Sequence, residues 1–137
     1  MKIPYFDAHC DTITAVLERG GSLAENDYML DLGRLAACEP AAQFFAVWGG
    51  RYEEKVALLR TELKKSGLGE LCRSIPEART AAKAGKIAAF LSVEGMEQLE
   101  CSAERLREAH ERDGLIMVNL CWNSDNELCG SAMDGGG

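Results

Sequence analysis

The sequence has too few basic residues, and apolar runs too short, for a nucleic-acid-binding or membrane protein. It carries 15 Lys and Arg against 22 Asp and Glu, a formal net charge of −7. The basic residues are scattered, so no stripe is available to neutralise phosphates. The apolar runs are strand-sized, far short of the ~20 residues that span a bilayer. The N-terminus lacks the apolar stretch of a secretory signal. We therefore expect no nucleic acid, no membrane and a cytoplasmic location.

Two metal- and nucleotide-binding patterns are also missing. The six cysteines include no C-x-x-C pair, which excludes a zinc ribbon, and we expect free, mostly buried thiols. A glycine-rich turn does not follow the first apolar run, where Cys10, Asp11 and Thr12 stand instead. A nucleotide-binding α/β fold is therefore disfavoured.

Short apolar runs alternate with helical patterns along all 137 residues, enough for one domain with a sizeable core. Near-continuous apolar strands separated by helices are typical of a parallel sheet with crossover helices. We expect the strands to pair in chain order, with the first one buried. The predicted strands are residues 3–6, 41–48, 87–93 and 115–122, and the predicted helices are residues 12–19, 53–65, 74–85 and 102–112.

Polar residues follow three of these strands. Asp7, His9 and Asp11 come at the end of the first, where spacing of two would direct their side chains alike. Glu94 closes the third strand, and Trp122 ends the fourth. Strand C-termini meet at one edge of a parallel sheet, and an imidazole with carboxylates suits a divalent ion such as zinc. A simple His9–Asp11 hydrogen bond and a solvated Glu94 are the alternatives.

These residues lie within a pattern that resembles the membrane (renal) dipeptidase family, zinc metallopeptidases built on a (β/α)8 barrel. The resemblance runs the whole length of the chain. It is carried by residues 6–12 (Phe-Asp-Ala-His-Cys-Asp-Thr), 42–46 (Ala-Gln-Phe-Phe-Ala), 85–88 (Gly-Lys-Ile-Ala), 92–95 (Ser-Val-Glu-Gly), 122–128 (Trp-Asn-Ser-Asp-Asn-Glu-Leu) and 134–137 (Asp-Gly-Gly-Gly).

The resemblance implies a dipeptide hydrolase with two zinc ions. His9 and Asp11 would bind the first ion, and Glu94 would bridge both. Trp122 stands where mammalian members carry a substrate-contacting histidine. In such enzymes the paired metals activate a water and polarise the scissile carbonyl. A different metal-dependent barrel hydrolase would usually carry His-x-His at the first strand, and Asp11 argues against that alternative.

A (β/α)8 barrel needs ~250 residues, so residues 1–137 are predicted to be a partial domain. We expect the N-terminal half of the barrel, about four βα units, ending after the fourth strand. The later metal ligands of the family are not present, and His110 is predicted to be a partly buried structural residue. At most one weakly held zinc and no measurable hydrolysis are expected. The alternative is an inactive half-barrel that associates with itself or with a missing C-terminal half.

Overall fold

The computed structural model describes residues 3–135, which form a parallel sheet with helices. Residues 136 and 137, the end of the predicted glycine-rich tail, lie outside the described residues. The strands are β1 (Tyr5–Asp7), β2 (Ala41–Val47), β3 (Gly69–Leu71), β4 (Ile87–Glu94) and β5 (Leu115–Asn119). The helices are α1 (Thr12–Arg19), α2 (Leu32–Leu35), α3 (Tyr52–Ser66), α4 (Ile75–Lys83) and α5 (Ala103–Glu108).

The strand β4 is the centre of the sheet. It pairs in parallel with β2 along one edge, and β2 pairs in parallel with β1. Its other edge pairs first with the short β3 and then with β5, whose pairing with β4 shifts register between Leu91 and Ser92. The predicted parallel pairing of the four longer apolar runs in chain order is confirmed. The three-residue β3 was not predicted, because Gly69–Leu71 is too short to show a periodic pattern.

One face of the sheet carries most of the core. Phe45, Leu91 and Val93 pack there against apolar side chains of α1 and α3, and all three are fully buried. Ser74 caps α4 by accepting a hydrogen bond from the backbone N–H of Glu77, as the S-x-x-E pattern predicts.

The opposite face is partly open, which overturns the prediction of a buried first strand. Phe6 is 68% exposed, because β1 lies at the sheet edge and only Phe44 packs beside its ring. Phe44 in turn stacks on Phe90 with ring centroids 4.8 Å apart. We call these three rings the Phe6–Phe44–Phe90 stripe. Helix α4 covers this face only near the start of β4, through Ala81.

Two charged residues, Lys55 and Glu62, lie on the buried face of α3. Lys55 is fully buried and donates a hydrogen bond to the carbonyl of Trp48. Glu62 accepts hydrogen bonds from the Ser22 hydroxyl at 2.5 Å and the Leu23 N–H at 2.7 Å. Both side chains therefore tie α3 to loops whose backbone groups would otherwise lack partners.

The last predicted helix is divided. Helix α5 ends at Glu108 and continues as a π-helical segment, Ala109–Asp113, before β5. His110 lies in that segment and is exposed, contrary to the expected partial burial, with its Nδ1 2.7 Å from the Leu115 carbonyl oxygen. Within residues 3–135, no helix is long and apolar enough to cross a membrane.

Candidate metal centre and the adjacent groove

Three predicted residues meet at the C-terminal edge of the sheet. The His9 Nε2 lies 3.3 Å from Asp11 Oδ1 and 3.5 Å from Glu94 Oε2. One ligand atom from each of the three residues lies within 4.8 Å of the others. Residues 85 positions apart in sequence are thus brought together by the parallel register of β1, β2 and β4.

His9 reaches this position through a segment beyond β1, not through the strand itself. Strand β1 ends at Asp7, and Cys10 then resumes pairing with β2: its N–H donates to Phe44 and its carbonyl accepts from Ala46. The expected alternation of Asp7, His9 and Asp11 on one strand face is therefore wrong. The irregular stretch between Asp7 and Cys10 directs His9 toward Glu94.

Asp11 precedes α1 at the N-cap, where an aspartate usually accepts a hydrogen bond from the first turn of its helix. Its carboxylate makes no such bond, and only its backbone carbonyl accepts from Thr14 and Ala15. The carboxylate is 49% exposed and faces His9 instead. It is therefore available as a ligand for a cation.

Glu94 is the last residue of β4, with its side chain 17% exposed. Burial raises the pKa of this carboxyl above its usual range; the His9 charge lowers it, and the nearby Asp11 and Glu97 carboxylates raise it further. Gly95 follows with φ of +91°, and a Cβ there would collide with the Glu97 carboxylate. Glycine is favoured here because L side chains rarely adopt this positive φ, whereas the Glu97 carboxylate is the end of a flexible side chain and can move aside.

Asp7 does not join the three residues. Its Oδ2 accepts a hydrogen bond from Gln43 Nε2 at 3.0 Å, and its Oδ1 accepts from the His9 N–H at 3.3 Å. It therefore shapes the turn before His9 without facing the cluster.

Replacing Asp7 with asparagine is expected to leave zinc affinity within about twofold, because Asp7 lies outside the cluster and the single amide oxygen still accepts one of the two bonds. Isothermal titration with zinc would measure this. A loss as large as that expected from a change at Glu94 would show that Asp7 is itself a ligand.

Cys10 packs against the core and is not one of the three clustered residues. Burial raises the pKa of this thiol to about 12, so it is neither a nucleophile nor a thiolate ligand at neutral pH. His110, on the π-helical segment, does not belong to the cluster.

Trp122 lies beyond the end of β5, 47% exposed. Its ring contacts that of Trp48, with centroids 4.9 Å apart and planes tilted by 44°. Both rings line a groove of about 450 Å³ that also contains Glu94. We call it the tryptophan groove. A second depression, of about 590 Å³, lies on the α1 side and is lined in part by His9 and Asp11. The three candidate ligands therefore stand between two open depressions.

Trp48 was missed by sequence reasoning, although a signal was available. It is the last residue of the predicted strand 41–48 and precedes Gly49 and Gly50, at the same sheet edge as Trp122. An aromatic residue at the C-terminal end of a parallel strand could have been read as part of the site, as Trp122 was. Lys55 was missed because a helical lysine in a charged stretch gives no sign of burial.

Comparison with known families gives a match along the whole chain. The family model described as membrane dipeptidase (peptidase family M19) matches residues 1–137. A search of curated proteins finds no match.

Two solved structures share the fold. A dipeptidase described as a metallopeptidase of family M19 superposes with a TM-score of 0.65 at 21% identity. An amidohydrolase from Pseudomonas aeruginosa superposes with a TM-score of 0.60 at 19% identity. The dipeptidase match covers 90% of this chain and 44% of the dipeptidase. The amidohydrolase match covers 72% of this chain and 31% of the amidohydrolase. The chain thus corresponds to less than half of either structure, as expected for part of a (β/α) barrel.

Proposed function

This chain belongs to the membrane dipeptidase family, peptidase family M19, and from that premise we propose that it forms part of a zinc-dependent dipeptide hydrolase. The observation that carries the proposal is the meeting of His9, Asp11 and Glu94 at one edge of the sheet. The family match alone would not place an imidazole and two carboxylates within ligand distance of each other.

The donor set fits zinc. It offers one imidazole nitrogen and two carboxylates, the ligand types that catalytic zinc sites use with one position left open. Asp11 and Glu94 bring two negative charges to the same imidazole nitrogen. A divalent cation among them would offset their mutual repulsion and the cost of burying Glu94. When bound, zinc supplies Lewis acidity toward a peptide carbonyl.

The chain's own residues have separate tasks in this proposal. His9 and Asp11 hold the ion from the segment after β1, and Glu94 holds it from β4. Trp122 borders the space beside Glu94 and would contact the substrate. In a binuclear centre, Glu94 would bridge the two metals, while the second metal would need ligands beyond these three.

Titration with zinc tests the proposal. We expect one weakly held ion per chain, because three ligands suffice for a single open site and not for two. Isothermal titration and metal analysis after dialysis would give the stoichiometry. Two tightly held ions would show that further ligands contribute, and no binding at all would contradict the proposed metal site.

Hydrolysis is tested separately. With one metal and three ligands, no measurable turnover of simple L,L- or L,D-dipeptides is expected from the 137-residue chain. Turnover that disappears in the Glu94→Gln variant would establish the dipeptidase activity in this chain and refute the ligand count. A cytoplasmic location stays a prediction from the sequence.

A second candidate function is association, and the Phe6–Phe44–Phe90 stripe favours it. Within residues 3–135, β1 pairs only with β2, and β5 pairs only with β4, so each leaves one strand edge unpaired. Phe6 adds an exposed aromatic side chain beside one of these edges. Free edges next to an apolar face promote pairing with another chain. We propose that this face binds a second copy or a complementary half-barrel.

Sedimentation velocity of the purified chain should therefore detect dimers or larger species. Replacing Phe6 with serine should shift the population toward monomer, since a 68% exposed ring contributes little to the fold of the single chain. Met29→Ser, at a side chain 96% exposed elsewhere on the surface, is the matched control. A monomer at all concentrations would contradict association.

A further inference from the structure

The tryptophan groove contains both tryptophans of the protein. Trp48 follows β2 and Trp122 follows β5, on either side of β4 in the sheet. Their rings touch across the groove, and Glu94 lies in its wall. A ligand that enters the groove would therefore contact two indole rings and come within reach of the candidate metal ligands.

Hydrogen bonds from two elements hold the backbone at Trp48 and Gly50 in place. Lys55 of α3 is fully buried and its ammonium group donates to the Trp48 carbonyl. On the other side, the Gly50 N–H donates to Gln98 at 2.6 Å. Among residues 3–135 the Trp48 indole N–H has no hydrogen-bond partner. The groove thus contains a tryptophan whose backbone is held in place by Lys55 and whose indole N–H is buried.

The charged side chains that line the groove are all acidic: Glu94, Glu97 and Asp125. Glu97 accepts from the Asn126 amide at 3.1 Å, and Asp125 accepts from the Ser131 N–H, so their hydrogen-bond donors are neutral. No ion pair involves either carboxylate in the described part of the chain. Lys55 is buried, donates to the Trp48 carbonyl and does not line the groove.

Tryptophan is the aromatic side chain that attracts cations most strongly, and the attraction grows when the site is partly desolvated. Two indole rings with carboxylates and no cation therefore favour a positively charged group and disfavour an anionic one. A purely apolar pocket would not carry Glu97 and Asp125 beside the rings. If Glu94 binds zinc, Glu97 and Asp125 still give the groove a negative charge.

We infer that the tryptophan groove receives the cationic side chain, a guanidinium or an ammonium, of the substrate residue bound beside the metal. This inference rests on the proposed function for the identity of the ligand as part of a dipeptide. It assigns Trp48, Glu97 and Asp125 to substrate selection, next to the predicted contact of Trp122.

Intrinsic fluorescence reports on this groove directly, because Trp48 and Trp122 are the two tryptophans of the sequence. The probe is L-arginine amide, and its matched neutral counterpart is L-citrulline amide, which keeps the shape and the α-amino group. We expect the arginine amide to change the fluorescence at about tenfold lower concentration than the citrulline amide. This is the ratio expected from one cation–π contact together with the attraction of nearby carboxylates.

Glu97→Gln tests the charge, since glutamine can still accept from Asn126. The preference for arginine amide should fall several-fold in this variant. Glu127→Gln removes the same charge from an exposed residue of the segment after β5 that does not line the groove, and should leave the preference unchanged. Circular dichroism checks that each variant is folded. Equal responses to both amides in the unmodified protein, or a preference untouched by Glu97→Gln, would overturn the inference.

Failure of this inference is distinguishable from failure of the proposed function. The fluorescence titration needs neither zinc nor turnover, whereas the metal titration needs no cationic ligand. Cation preference without zinc binding would refute the proposed metal site and keep the groove assignment. Zinc binding without cation preference would refute the groove assignment and keep the proposed metal site.

Discussion

Replacing Glu94 with glutamine should lower zinc affinity by more than about a hundredfold, because loss of a direct ligand costs more than the 10–100-fold typical of an outer partner. The amide keeps the size of the side chain, so the positions of His9 and Asp11 are retained. It removes the negative charge that offsets the ion. Isothermal titration with zinc, compared with Asp7→Asn, measures the effect.

The same variant should not lose stability. Burial raises the pKa of Glu94 in the folded state, so the unfolded state loses its proton first as the pH rises. The ionised Glu94 carboxylate therefore destabilises the folded, metal-free protein at neutral pH, and a neutral glutamine removes this destabilisation. Thermal unfolding without metal should give an unchanged or higher Tm, while zinc should stabilise only the unmodified protein. If Glu94→Gln binds zinc as tightly as the unmodified protein, Glu94 is not a metal ligand.

Zinc binding should also weaken in acid. Zinc must displace protons from its ligands, and the raised pKa of Glu94 makes this competition begin at a higher pH than for an ordinary glutamate. Titrations between pH 5 and 8 should show affinity that rises with pH.

Replacing Asp113 with alanine should lower the free energy of unfolding by about 2–3 kcal/mol, because it removes a buried charged acceptor. Asp113 is 2% exposed and holds together three groups: the Tyr52 hydroxyl at 3.2 Å, the Arg112 guanidinium at 2.7 Å and the Arg60 guanidinium at 3.2 Å. Its removal leaves the buried Tyr52 hydroxyl without its acceptor. Both arginines remain partly exposed, so water limits the cost.

Urea unfolding measures this effect, with Asp113→Asn as the conservative variant. Asparagine can accept from Tyr52 and lacks only the charge, so it should lose less than alanine. The exposed Asp27, changed to alanine, is the control and should alter stability by less than about 0.5 kcal/mol. A loss for Asp113→Ala no larger than the control would show that the cluster does not stabilise the fold.

Asp113 also predicts how stability depends on pH. Burial by itself would raise the pKa of this carboxyl, but Arg112, Tyr52 and Arg60 outweigh burial and hold it below its usual range. The unfolded state therefore binds the proton more readily, with a pKa of about 3.9. The stabilisation is present above that pH and is lost as the pH falls through the lower folded-state pKa. The acid slope of the unfolding free energy should be shallower in Asp113→Asn.

The sequence by itself determined the parallel α/β architecture and the members of the candidate site. Apolar runs such as 87–93 identify buried parallel strands because both faces of such a strand are covered. A polar residue that ends such a run, as Glu94 does, must lie at the C-terminal edge of the sheet. His9 and Asp11 follow the first strand and so reach the same edge, whichever way the intervening backbone turns.

Only the tertiary structure decided how those side chains are directed and what surrounds them. The direction of His9 depends on the irregular stretch after Asp7, which alternation along a strand could not anticipate. The burial of Lys55 depends on the Trp48 carbonyl, a partner contributed by another element. The contact of Trp48 with Trp122 joins residues 74 positions apart through the pairing of β4 with both β2 and β5. Local sequence patterns describe periodicity along one element, whereas these features arise where separate elements meet.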